Sequence, residues 1–320
     1  MKATSLISFV LFASVAARAA GDFDVRDEDE FKKIFPNVTQ VDASIDGAAS
    51  SNIKKLAGNL GFLEGPVWNS SGGGFVVFSD IPGDELKKWS EKEGLASFRK
   101  PSNNANGNCL DLQGRLITCE HGARRVSITE KDGSIHTLMD QFEGKKLNSP
   151  NDVVVKSDGS VWFTDPDYGL AGKPKEQEGN YVFCVDPKAK SIKVVVKDFD
   201  KPNGLCFSPD EKKLYIADSG KPRHIRVFDV QRDGSITNGR VFCAIDKGGP
   251  DGIRCDKDGR IFSSAGDGVQ MFAPDGHLIG KILVPEPPAN LCFGGPENKT
   301  LYITARKSLY SVSLSVRGDK

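Results

Sequence analysis

Five short polar corners carry side chains able to lend oxygen to a cation or a substrate: Glu64, Asn106, Asn151, Asn203 and Asp251. Two carboxylates and three carboxamides make a hard-oxygen donor set. Ca2+, which takes about six to eight oxygens and accepts neutral amides, suits it best, with Mg2+ as runner-up. Zinc does not suit it: the chain has four histidines (His121, His136, His224, His277) without a His-x-x-x-His pair, and seven cysteines without a Cys-x-x-Cys pair. An ion held by about four protein ligands keeps positions open for water and substrate, as a Lewis acid requires. Asn-Gly and Asp-Gly are ordinary turn formers, and any one corner taken singly reads more readily as a turn than as a ligand. What favours chemistry is phase: the corners recur every 42 to 52 residues, each ahead of an apolar strand, and three follow Pro150, Pro202 and Pro250.

That recurrence defines the elements that must position them. Each unit runs corner, apolar strand, turn, second strand, polar junction and further strands. Blade three shows it in Val153-Val154-Val155, the turn Ser157-Asp158-Gly159-Ser160, and Val161-Trp162-Phe163-Thr164-Asp165. Asp132-Gly133, Asp158-Gly159, Asp258-Gly259 and Asp275-Gly276 are hairpin turns within units. A period in the 40s without a helix-period stretch predicts an all-β fold, a six-bladed β-propeller with four-stranded blades. A degenerate sixth unit opens near Ala289-Asn290, and Ile53 to Leu60 is expected to supply its outermost strand and remove an open edge. In such a fold residues of one phase meet at one height on the axis, so the corners form a ring. The junction residues Asp80, Glu120 with His121, Asp165, Asp218 with Ser219, and Arg306 lie around it, placed either to contact substrate or to satisfy backbone donors.

The propeller is assigned to residues 53–320, preceded by a polar, acidic arm over 20–52, mobile or draped on the surface, and a secretory signal peptide over 1–19. The leader reading rests on Lys2, the apolar run Leu6 to Phe12 and the small-x-small site Ala17-Arg18-Ala19. It implies a secreted or periplasmic protein. The run is shorter than the ~20 apolar residues a membrane span needs, and 43 basic against 43 acidic residues advertise no nucleic-acid partner. Asn37, Asn69 and Asn298 stand in glycosylation sequons. Cys109, Cys206, Cys255 and Cys292 fall in apolar strands and read as core; a Cys109–Cys119 bridge across a hairpin stays open. No Gly-x-Ser-x-Gly elbow, P-loop or dinucleotide fingerprint occurs.

Five segments resemble the gluconolactonase and regucalcin family of six-bladed propellers, which also includes diisopropylfluorophosphatase-like enzymes. They are Phe62 to Trp68, Phe78 to Pro82, Cys119 to Val126, Ser149 to Val155 and Trp162 to Gly169. The resemblance implies that Glu64, Asn151, Asn203 and Asp251 hold a catalytic divalent metal, usually Ca2+. It further implies that Asn106, His121, Arg124, Asp165 and Tyr168 line the substrate cleft. Asn108 departs from the family pattern, where an apolar residue is typical. The activity implied is calcium-dependent opening of a sugar lactone, with the metal as Lewis acid and Asp251 as general base or nucleophile. Phosphotriester hydrolysis at the same metal is the alternative enzymatic reading. A propeller that binds a sugar or partner and keeps calcium only for structure is the non-enzymatic one.

Overall fold

The computed structural model describes residues 23–36 and 53–319, which form six antiparallel blades in succession along the chain and one small hairpin that pairs Gln141–Phe142 with Lys145–Lys146. Blade one consists of the strands Leu63–Asn69, Phe75–Asp80, Glu85–Ser90 and Gly94–Arg99. Blades two to five occupy 105–139, 153–196, 202–244 and 253–283. Blade six pairs Pro288–Gly294, Thr300–Ala305 and Ser308–Ser313 with Ile53–Ala57, so the start of the propeller closes its end. The first strand of every blade touches the first strands of its two neighbours, which closes the circle around a central axis. Closure leaves no unpaired sheet between first and last blade, the usual liability of an open array.

Turn chemistry sets the hairpins. In blade three Val155 opposes Val161, and the intervening turn places Gly159 at φ +90° while Asp158 Oδ1 accepts from the Ser160 N–H (2.9 Å) and hydroxyl (2.6 Å). Between blades, apolar faces interlock. Trp162 meets Phe207 edge-on at 5.4 Å, Phe262 meets Phe293 at 5.2 Å, and at the closing seam Trp68 stacks on Tyr302 at 5.3 Å. The seven cysteines are free thiols, so the open question of a Cys109–Cys119 bridge resolves against it.

Part of the acidic segment before the propeller is ordered. Phe23–Val25 adds a fifth strand to blade five, pairing Phe23 with Ile282, and the helix Glu28–Ile34 follows. Asp27 caps that helix by accepting from the Glu30 N–H, and Glu28, Asp29 and Glu30 complement the positive end of its dipole. Phe31 and Ile34 bury its inner face. The acidic run thus reads as a cap and first turn. The leader over 1–19 and the remainder of the arm, 20–22 and 37–52, lie outside the described residues. No described helix is long and apolar enough to cross a membrane.

Candidate functional site

Three of the five corners, at Glu64, Asn106 and Asn203, lie in strands rather than turns. Asn106-Gly107 and Asn203-Gly204 lie inside the first strands of blades two and four, and neither glycine has positive φ. Space explains these glycines: a Cβ on Gly204 would stand 2.3 Å from the Asp251 carbonyl oxygen and one on Gly107 would stand 2.4 Å from that of Asn151, while at Gly65 a φ of +46° adds to the 2.0 Å approach to the Asn106 carbonyl. Around the axis the inner strands therefore approach backbone to backbone, tied by Gly107 N–H to Asn151 O (2.7 Å), Gly204 N–H to Asp251 O (3.0 Å) and Gly252 N–H to Ala289 O (2.8 Å). These bonds hold the corners of neighbouring blades side by side, Asn106 by Asn151, Asn203 by Asp251, and Asp251 by the opening of blade six, and Glu64 joins through Asn290 (3.0 Å).

Inside this ring Oδ1 of Asn106, Asn203 and Asp251 is shielded from water and has no hydrogen-bond partner. Three unpartnered buried oxygens are costly unless something positive completes them. Glu64 Oε2 accepts from the Gly65 N–H (2.8 Å) and from Asn290 Nδ2 (3.0 Å). Burial, reinforced by the nearby Asp152 carboxylate, pushes Glu64 up to about 7. Burial also drives Asp251 well above the usual carboxylate range, aided by the negative charges of Glu64 and Asp152 and opposed by the Asn203 amide. No three His, Cys, Asp or Glu side chains cluster as a metal site among the described residues, as expected where amides supply half the donors.

Two charged residues that sequence reasoning overlooked sit just below. Asp152, wholly buried, takes the place that glycine holds after the other corners, and its Oδ2 accepts from Arg254 Nη1 (3.3 Å). The axis thus holds three carboxylates, Glu64, Asp152 and Asp251, against one guanidinium. With all three carboxylates ionised the formal charge would be −2, which a divalent cation would balance, and the oxygen-rich, nitrogen-poor lining matches Ca2+ better than a transition metal. The clue was available: Arg254 is a lone cation in a stretch otherwise patterned as a buried strand.

The cleft residues divide by role. His121 is buried, faces Asn106 Nδ2 across 3.2 Å through Nε2, and is pushed down to about 4 by burial. Its other face is covered by Gly169, where a Cβ would lie 2.3 Å from the imidazole. Tyr168 stands half exposed at the rim; its ring carries Lys201 at 5.5 Å, and burial, then the Asp251 charge, raise its hydroxyl to about 12. Arg124 is committed to the Leu147 carbonyl (2.6 Å) and to Glu176 (3.2 Å), which leaves Nη2 without a partner. Asp165 is fully buried: Oδ2 accepts from the Asn148 N–H (2.7 Å), Oδ1 is unpartnered, and burial pushes it up to about 7. Arg124 and Asp165 therefore frame the loops beside the cleft, with one free atom each, while His121 and Tyr168 lie closer to the ring.

The junction acids satisfy backbone donors. Asp80 accepts from Gly61 and Gly83, and Asp218 from Asp200, Lys201 and Gly220. Glu120 is buried among Arg99, Arg125, Ser127 and Asn103. Ser219 donates to the Pro250 carbonyl, next to Asp251. Arg306 is exposed, its carbonyl accepting from Leu63. Asn108 stitches blades one and two: its amide nitrogen reaches the Gly65 and Asn106 carbonyls and Ser79, and its oxygen accepts from Thr118. A polar residue is accommodated in this inner strand because its amide is fully partnered.

With the site in view, known proteins can be set beside it. The chain is 33% identical over 310 residues to a gluconolactonase of Zymomonas mobilis, covering 87% of this chain and 85% of that one. A gluconolactonase structure from Xanthomonas campestris superposes with a TM-score of 0.83 at 30% identity, over 92% of this chain and 95% of its own. The regucalcin of Agrobacterium tumefaciens, a calcium-binding protein, shares the fold at 21% identity with a TM-score of 0.69, over 81% and 92%. Residues 62–307 match the SMP-30/gluconolactonase/LRE-like region, and the chain belongs to that family.

Proposed function

We propose that the protein hydrolyses a sugar lactone at the axial ring, with one divalent cation, calcium, held by Glu64, Asn151, Asn203 and Asp251. The observation that carries this reading is the set of buried, unpartnered ring oxygens of Asn106, Asn203 and Asp251 beside the Glu64 carboxylate. Gluconolactonase relatives at 33% and 30% identity give the substrate class. When bound, the cation supplies Lewis acidity toward the lactone carbonyl and favours the ionised form of both ring carboxylates.

The reaction adds water across the acyl C–O bond of the lactone and yields the hydroxy acid. Asp251 is the residue for the proton of the attacking water, or for direct attack, because its Oδ1 has no hydrogen-bond partner, whereas Glu64 Oε2 is held by Gly65 and Asn290. Labelled-oxygen incorporation in a single turnover separates the two: label in Asp251 ahead of product identifies the nucleophile. Tyr168, beside Asp251 and Ser219, offers a hydroxyl donor at the rim. Neutral His121 accepts from Asn106 and has no free Nε2 lone pair with which to act as base. A panel of aldonolactones and one phosphotriester, each with and without chelator, tests the class. Chelator-sensitive turnover of lactones alone supports the reading, and turnover of the phosphotriester alone overturns it.

We further propose, from Lys2, the apolar run Leu6 to Phe12 and Ala17-Arg18-Ala19 alone, that the protein is exported with its leader removed after Ala19. Intact mass of the exported protein tests this: a chain beginning at Ala20 is expected, and a chain retaining Met1 contradicts it.

A further inference from the structure

At the level of the ring, the sixth blade contributes a nitrogen where the others contribute oxygens. Asn290 is buried, and its Oδ1 accepts from the Leu291 N–H at 2.8 Å, so the amide is fixed end for end. Nδ2 then faces the carboxylates, donating to Glu64 Oε2 (3.0 Å) and reaching Asp152 Oδ2 (3.4 Å). Gly252 leaves room for this pose, since a Cβ there would lie 2.1 Å from Asn290 Oδ1. With the Gly65 N–H also on Oε2, both bonds that Glu64 receives fall on one oxygen, and no described donor engages Oε1. Asp152 is held in turn by Arg254, whose Nη1 also donates to the Ile253 carbonyl at 2.7 Å. Arg254, Asp152, Asn290 and Glu64 form one continuous hydrogen-bonded chain from the lower channel to the ring.

We propose that Asn290, backed by the Asp152–Arg254 pair, is the positioning residue that sets the ring's affinity for its divalent cation by aiming Glu64, without touching the ion. The inference rests on the ring being the cation site. An amide donor on one oxygen of a ligating carboxylate fixes the direction of the other and suppresses its protonated form. Outer partners of this kind commonly govern metal affinity by about 10–100-fold.

The test is calorimetric titration of calcium into chelator-treated full-length protein, with melting temperature of the calcium-free form measured in parallel. Asn290→Leu keeps the volume and removes the donor; calcium Kd is expected to weaken about 10–100-fold. Arg254→Lys, which keeps a cation beside Asp152, is expected to stay within about threefold of wild type, whereas Arg254→Met follows Asn290→Leu. Wild-type Kd in Asn290→Leu with a lowered calcium-free melting temperature assigns Asn290 a packing role and overturns the proposal. Should Asn290→Leu not fold, equal calcium affinity in Arg254→Lys and Arg254→Met overturns it instead. Absence of calcium binding by the wild type defeats the ring reading itself, a result distinct from equal binding by wild type and variants.

Discussion

Nδ2 of Asn106 lies 3.2 Å from Nε2 of His121, and this buried contact decides which end of the Asn106 amide faces the axis. The imidazole is neutral because burial lowers its proton affinity to about 4, so Nε2 accepts and Asn106 Oδ1 is left toward the ring. His121 is thus placed to orient its neighbour Asn106.

His121→Gln retains an acceptor for Asn106 and is expected to keep kcat within a few-fold. His121→Phe strands a buried amide donor, a cost of about 1–3 kcal/mol, and is expected to lower kcat/KM by roughly 10–100-fold. The pH–rate profile of the wild type should lack an inflection from His121 between pH 6 and 7. A profile in which such an inflection disappears in His121→Gln would show that the imidazole titrates during turnover.

Calcium should reverse the pH dependence of stability. Glu64 and Asp165 titrate near 7 in the calcium-free fold, and Asp251 lies well above its ordinary range, all chiefly through burial. Folded values raised above unfolded ones mean that the unfolded chain releases these protons first as pH rises. The calcium-free protein is therefore expected to lose stability from about pH 4 to above pH 7. Calcium favours the ionised carboxylates, so the melting-temperature gain it gives should grow over the same window. A gain independent of pH from 5 to 8 contradicts this.

Gly204→Ala probes the backbone contact that sets the ring height. Its φ is not positive, so only space opposes the new Cβ, 2.3 Å from the Asp251 carbonyl. Separation of blades four and five at this point should cost about 1–3 kcal/mol of stability and weaken calcium binding. Thermal melts and calcium titration together check it; unchanged calcium affinity despite a lowered melting temperature would separate the blade contact from the site.

The propeller was legible because its information is repeated. Asp158-Gly159 predicts a hairpin that the backbone contains, and Ile53 predicts a closing strand that pairs with Val312. The ring was legible as a phase, since Asn106 and Asn203 stand one period-multiple apart on inner strands. The reason for their glycines was not, because a close approach between blades leaves the same letters as a turn. Asp152, Arg254 and Asn290 were harder still: Arg254 leaves a local sign as a lone cation in a strand, but the partners that give all three their roles lie 102 and 138 residues away in sequence. The ordered strand Phe23–Val25 and the seven-residue helix after it are too short to show a period.

The most direct test of the whole account is the rate of glucono-1,5-lactone hydrolysis as calcium is titrated into chelator-treated protein. The account predicts a fall to the buffer rate on chelation and recovery that saturates at one calcium per chain. Asp251→Asn should stay about 10²–10⁴-fold below wild type at every calcium concentration. Full hydrolysis by the chelated wild type, or wild-type recovery in Asp251→Asn, would contradict it.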